Sequence, residues 1–279
     1  MTRISLGIRA TVACVAVLCG VSPVSAQTAP SLGSAQSFAV LGGSTVTNTG
    51  TSVITGDLGV SPGSAVTGFP PGLVVSGTIH AADASALAAQ GSAATAYNAL
   101  VSQACSQDLT GQDLGGKTLT AGVYCFSSSA QLTGTLTLNA QGNASAVFIF
   151  KIGSTLTTAS GSSIVLINGA SSCNTFFQVG SSATLGTTSS FAGSILALTS
   201  ITATTGANVT GRTLARNGAV TLDTNAVTVS ACSSGPLPPT PGPTPVPVPV
   251  PTLPEWALIM LAALLAAAGV VARRRRPSA

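Results

Sequence analysis

Residues 187 to 232 repeat at an interval of eighteen, with Phe191, Val209 and Val227 one interval apart. Gly193 and Gly211, Leu196 and Leu214, Ala197 and Ala215, and Ser182 and Ser200 obey the same step. So short a unit cannot enclose a core of its own. It fits one coil of a β-solenoid, in which three short strands turn once and bury their apolar positions against the next coil. Between those positions stand Thr, Ser, Gly, Ala and Asn. A rigid, uncharged wall studded with hydroxyls suits an extended, repeating ligand better than a reaction centre.

Charge is distributed so that the ends mislead about the middle. Of the ten basic residues, six lie outside the expected folded domain: Arg3, Arg9 and Arg273 to Arg276. From residue 27 to 235 only Lys117, Lys151, Arg212 and Arg216 face Asp57, Asp83, Asp108, Asp113 and Asp223. That near-neutral domain has no basic stripe for phosphates, so nucleic acid is not an expected partner. General acid–base chemistry needs paired titratable groups, and metal sites need clusters of His, Cys or carboxylate. Neither constellation is visible, and no catalytic residue, metal or cofactor is expected. His80, the one histidine, opens an alanine-rich stretch and reads as a polar boundary residue.

Both ends carry targeting signals. Arg3 and Arg9, the apolar run Ala10 to Val21 and the small-residue site Val24-Ser25-Ala26 make residues 1–26 a signal peptide. The domain then runs from 27 to 234. Removing Cys14 and Cys19 with the signal leaves Cys105, Cys125, Cys173 and Cys232, an even set in an exported chain. Three pairings are possible. The expected one closes Cys105–Cys125 around a local loop and Cys173–Cys232 across the final coils. Residues 235–252 alternate Pro with Val or Thr, a semi-rigid spacer. Residues 253–279 follow, in which Leu253 to Ala272 is just long enough to cross a bilayer. Arg273 to Arg276 would hold its end in the cytoplasm.

Val250-Pro251-Thr252-Leu253-Pro254-Glu255-Trp256, the apolar helix and the arginine block resemble the IPTL-type C-terminal sorting signals of Gram-negative bacteria. The chain departs from that pattern at Val250 and Pro254. The resemblance implies transient retention in the inner membrane, a sorting protease as partner, and delivery to the cell surface or medium.

Within the domain, residues 31 to 69 alternate small polar and apolar residues with frequent glycines, as short strands do. Ala81 to Ala104 holds one Gly and no Pro, and predicts one long helix whose apolar stripe is Leu87, Ala94 and Val101 with Tyr97, Leu100 and Ala104 nearby. Strand-like runs resume with Val147-Phe148-Ile149-Phe150, Ile164-Val165-Leu166-Ile167 and Ile195-Leu196-Ala197-Leu198. The early part keeps no eighteen-residue register, so irregular or discontinuous coils are expected there.

The run Val147 to Thr158, with Phe177 to Gly186, Ala192 to Ala197 and Gly211 to Leu222, is similar to the ice-binding proteins of the DUF3494 family across residues 31 to 232. That resemblance implies a mainly β fold: a right-handed, discontinuous β-helix of triangular section with one long helix alongside. It also implies antifreeze, recrystallisation-inhibiting or ice-adhesion activity, with an ice surface as partner. The family's ice-facing pattern is Thr, then Ala or Gly, any residue, then Thr or Asn. Thr205-Gly206-Ala207-Asn208 fits it, Thr49-Gly50-Thr51-Ser52 ends in Ser, and Thr187 to Ser190 is a degraded copy one coil earlier. Thr158-Ala159-Ser160-Gly161 keeps only the first half. The resemblance therefore nominates Thr49, Ser52, Thr158, Thr187, Ser190, Thr205 and Asn208 as ice-facing. Asp223-Thr224-Asn225-Ala226, one coil later, breaks the pattern with a charge. Two rival readings share the fold: a biofilm-matrix adhesin without ice activity, and a polysaccharide-active β-helical enzyme using Arg212, Arg216 and Asp223.

Overall fold

The structure is a computed structural model that describes residues 27–230, Cys232, Met260 and residues 263–265. The expected signal peptide, spacer and most of the C-terminal segment lie outside the described residues. Among those described, no helix is long and apolar enough to cross a membrane.

Short strands alternate with tight turns from the start of the domain. The first coils comprise β1 (Phe38–Gly42), β2 (Thr45–Thr49), β3 (Val53–Thr55), β4 (Asp57–Val60), β5 (Ala65–Thr67), β6 (Leu73–Val75) and β7 (Ile79–Ala81). The helix α1 (Ala84–Val101) follows, then β8 (Gln107–Asp108), β9 (Thr118–Leu119), β10 (Gly122–Phe126), β11 (Ala130–Leu132) and β12 (Thr135–Asn139). Next come β13 (Phe148–Ile152), β14 (Leu156–Thr158), β15 (Ser163–Ile167), β16 (Thr175–Val179), β17 (Ala183–Leu185) and β18 (Ser190–Ala197). The series closes with β19 (Ile201–Ala203), β20 (Asn208–Ala215), β21 (Val220–Asp223) and β22 (Ala226–Thr228).

Every pairing between these strands is parallel, and they form three sides of a solenoid. Side A runs β8-β10-β13-β16-β18-β20-β1-β4-β7. Side B runs β11-β14-β17-β19-β21-β2-β5. Side C runs β9-β12-β15-β18-β20-β22-β3-β6. The long strands β18 and β20 serve two sides, turning from C to A at Gly193 and Gly211, whose φ angles are 130° and 149°. The eighteen-residue repeat seen in the sequence is this pair of coils, paired from Ser190↔Asn208 to Ala197↔Ala215.

Sequence order and stacking order differ. The first coil, β1 to β3, stacks on the last, β20 to β22. The chain returns to the far end through α1, whose eighteen residues reach about 27 Å. Asp83 caps the helix by accepting a hydrogen bond from the Ala86 amide at 2.8 Å. Its buried face is Ala86, Ala89, Ala93, Ala96, Tyr97 and Leu100. Of the expected stripe Tyr97 and Leu100 are buried, but Leu87 and Val101 are corrected, being 64% and 46% exposed. Alanine lets the helix axis lie close to side A, and that gain in contact outweighs burying two larger side chains elsewhere. Tyr97 fixes the register, with its hydroxyl 2.8 Å from the Gln178 amide nitrogen on β16. Arg216 lies 5.0 Å over its ring.

Inside the coils, Tyr124, Phe150, Phe177 and Phe191 stack one per coil, with centroids 5.4, 4.4 and 4.7 Å apart. Aliphatic columns fill the remainder. Leu109 and Leu114 close one end. The cysteines pair as expected, Cys105–Cys125 and Cys173–Cys232, with Cα atoms 5.8 and 5.6 Å apart.

A side chain at Gly211 would collide with the Gly193 carbonyl oxygen of the coil beneath, at a φ of 149°. Gly211→Ala should therefore lower unfolding stability by on the order of 1–3 kcal/mol or more. Gly91, in the open middle of α1, has nothing near its Cα face. Gly91→Ala should raise stability by roughly 0.4–1 kcal/mol. Urea midpoints of the two variants measure both signs.

Candidate functional site

Side A is covered, since α1 packs on β1, β4, β7, β13 and β16. Among the described residues no helix covers sides B and C. On side C the outward positions are mixed: Val53, Leu73, Val75 and Val165 are exposed beside Thr135, Ser190, Asn208, Thr210, Ala226 and Thr228. Side B is uniform. In β11, β14, β17, β19 and β21 one outward position stands between two buried residues. The aligned outward position is Thr in six consecutive strands, from β14 to β5. The column runs Thr157, Thr184, Thr202, Thr221, Thr47, Thr67, each directly paired with the next. Gln131 precedes it on β11.

The column is held straight by the ladders that carry it. Strand spacing of about 4.7–4.9 Å sets the interval between hydroxyls, and β-branching restricts χ1. The hydroxyls of Thr47 and Thr221 stand 3.4 Å apart. A second outward row is also hydroxylic at Ser129 and Thr155, whose oxygens are 2.8 Å apart. Asp113 lies at the Gln131 end, where burial raises its pKa but donors from the Thr133 and Gly115 amides bring it below the ordinary value.

The residues nominated by the sequence pattern fall into three groups. Thr187, Thr205 and Thr49 stack with Asp223 along the edge between sides B and C. Amides there bond carbonyls coil to coil: Thr188 to Thr205, Gly206 to Asp223 and Thr224 to Thr49, at 3.0, 3.0 and 2.9 Å. The Thr205 hydroxyl donates to the Asp223 carboxylate. Ser190 and Asn208 lie around the corner at the start of the side C strands, paired with one another. Ser52 and Thr158 must be withdrawn, being 0% and 3% exposed. Their hydroxyls instead accept backbone N–H groups, Ser52 from Asn225 and Thr158 from Gly186, each at 2.9 Å. A buried hydroxyl that satisfies the interior cannot also meet a surface.

Sequence reasoning missed the column itself. Its signal was present as a Thr beside inward apolar residues, as in Ala183-Thr184-Leu185, Ile201-Thr202-Ala203 and Val220-Thr221-Leu222. The steps are 27 (157 to 184), 18 (184 to 202) and 19 (202 to 221) residues, then the column jumps back to Thr47. A fixed period cannot follow it.

The charged residues nominated for an enzyme do not converge. Arg212 is 2% exposed and donates to the Gln36 carbonyl through Nε and Nη2 at 2.9 and 2.7 Å. Burial lowers its pKa. Arg216 covers Tyr97, while Asp223 sits on the B–C edge. His80 bridges turn and helix, with Nδ1 2.7 Å from Asp83 and Nε2 2.8 Å from the Thr78 hydroxyl. Among the described residues no group of three His, Cys, Asp or Glu is placed to hold a metal ion.

A discontinuous β-solenoid with a helix along one side and a threonine column along another defines a class of surface-binding domain. Residues 40–228 match the ice-binding-like family model, and the chain belongs to that family. Residues 248–276 match the IPTL-CTERM motif. The domain is 64% identical over 206 residues to an ice-binding protein of Nostoc sp. (strain HG1), covering 74% of this chain and 76% of that one. It is 35% identical over 214 residues to an ice-binding protein of Flavobacterium frigoris, covering 71% and 75%. The crystal structure of an ice-binding protein from the Antarctic ascomycete Antarctomyces psychrotrophicus superposes with a TM-score of 0.71 at 44% identity, covering 74% of this chain and 100% of that one.

One buried side chain shapes the B–C edge. Asn225 donates to the carbonyls of Thr204 and Ala207 at 2.8 Å and accepts from the Asp223 amide at 2.6 Å. Asn225→Ala should cost about 1–3 kcal/mol for each carbonyl left without a donor. Thermal melts would record the loss, and amide exchange at Ala207 and Asn208 would show it centred on this edge.

Proposed function

We propose that this chain is an exported ice-binding protein that adsorbs to ice through side B. The observation that carries this reading is the unbroken column of six threonines. Ice is an extended lattice, and a single contact with it is weak. Many contacts at fixed spacing add only if their geometry is set before binding, because ordering them on the surface would cost entropy. Ladder hydrogen bonds and stiff χ1 angles supply that order. Threonine methyls disfavour liquid-like hydration while the hydroxyls hold ordered water. The near absence of charge keeps side B from imposing its own water orientation. The names of the relatives and the solved structures support the same reading.

The corner residues Thr49, Thr187 and Thr205 extend the surface at its edge, with the Asp223 charge among them. Ser190 and Asn208 face side C and belong to no flat continuation of the column. The dispersal of Arg212, Arg216 and Asp223 supports a non-enzymatic role. The sorting motif supports export, a pause in the inner membrane, recognition by a sorting protease and arrival at the cell surface. Ice adhesion there accommodates the adhesin reading without a second binding site.

Thr202→Tyr inserts a bulky ring mid-column without touching the core. It should raise the concentration needed for recrystallisation inhibition by more than about tenfold, equivalent to about 1.4 kcal/mol. Thr205→Tyr, at the edge, should do less. Equal loss from both, or loss from Thr205→Tyr only, would move the site off the column.

Processing of the tail is tested separately by mass spectrometry of protein recovered from envelope and medium. Mature chains should lack Trp256 and Arg273 to Arg276. Peptides ending at Ala279 in surface protein would instead indicate permanent anchoring.

A further inference from the structure

The domain passes into the proline-rich segment at Cys232, and the surroundings of that residue are built rather than loose. Cys232 is joined to Cys173, and Ser230 and Ser172 place their hydroxyls 2.8 Å apart. Arg212 Nη2 reaches Cys232 Sγ at 3.8 Å while its bonds to the Gln36 carbonyl clamp the start of the domain to the same place. Cys173 lies between β15 on side C and β16 on side A. Arg212 follows the C-to-A turn at Gly211, and Gln36 precedes β1 on side A. All of these residues mark the edge where C meets A. In a three-sided coil that edge lies across from side B.

Where the disulfide stands also decides how tension enters the fold. Without it, pull on residue 232 would act on β22, three residues paired with β20 at two positions and with β3 at three. Such a strand peels a few hydrogen bonds at a time. With the bond in place, tension passes to Cys173 and is shared by the strands on either side of it, β15, paired with β12 at five positions, and β16. Strand β16 has five buried residues, paired with β13 at five positions and with β18 at four. It is held on both flanks at nine positions, against five for β22, and so resists a larger pull.

We propose that the Cys173–Cys232 disulfide carries the tension between the domain and its tail, on the edge opposite side B, so that a held molecule keeps that side free. The inference rests on the proposed arrival at the cell surface, with the proline-rich spacer left as the link between domain and anchorage, and it deepens the proposed ice adhesion.

Optical tweezers on the full chain in detergent test it, with one handle in the exposed Gly142–Asn143 turn and the other after Ala279. Wild type and C105S/C125S should show the same first rupture. C173S/C232S should yield several-fold earlier in force, with a short first extension that matches release of β22. A C173S/C232S trace with no event below the wild-type rupture would overturn the proposal. Should that variant fail to fold, folded C105S/C125S before and after addition of a thiol reductant gives the same comparison. Recrystallisation inhibition in free solution, without load, judges the ice reading separately. C173S/C232S should retain it, and its absence from wild type would sink the ice reading while the force comparison still stands on its own.

Discussion

The parallel hydrogen-bond ladder between coils is the constraint on which the rest depends. No coil is large enough to bury its own apolar residues, so each is folded only against its neighbours. Because the side-chain period along a strand is two, a slip of one residue would expose the core and bury the outward row. Register is therefore fixed from inside, by the stack of Tyr124, Phe150, Phe177 and Phe191 and by the aliphatics around it. The threonine column on side B is the outward image of that inward stack. What aligns the rings also aligns the hydroxyls, and the surface needs no separate organising element.

The three sides have different fates for reasons visible in their side chains. Side A carries outward apolar residues such as Ile149, Phe176, Leu196 and Leu214, and it is closed by a helix whose contact face is mostly alanine. Side C mixes hydroxyls with exposed Val53, Leu73, Val75 and Val165, and its border with A receives the disulfide-linked exit of the chain. Side B keeps one residue type at one position through six strands. Rigid presentation of a repeating row is what an ordered ligand rewards.

Corners do more than reverse direction. Gly193 and Gly211 permit the C-to-A turn because the carbonyl of one coil occupies the space a side chain of the next would need. At the B–C edge the work falls to Asn225 and Ser52, buried polar groups that satisfy backbone atoms of adjacent turns. The motif Thr205-Gly206-Ala207-Asn208 lies at this edge, so part of its regularity in the sequence serves turn geometry rather than ligand contact.

Much was legible without coordinates. The eighteen-residue interval defined the solenoid, and the four cysteines could be paired as the structure pairs them. Alanine content located the helix but only part of its buried face, Tyr97 and Leu100, because Leu87 and Ala89 differ in hydrophobicity in the direction opposite to their burial. Close approach to a sheet, which only the fold imposes, reversed that preference. The column Thr157, Thr184, Thr202, Thr221, Thr47, Thr67 was likewise hidden. Its spacing is irregular, and its last two members come from coils that the chain makes first and stacks last. Ser52 and Thr158 matched a pattern by residue type yet point inward, since a motif in sequence carries no information about which side of a strand it occupies. Composition and period determined the kind of fold. The order in which coils stack, and hence which threonines share a surface, was decided by long-range pairing.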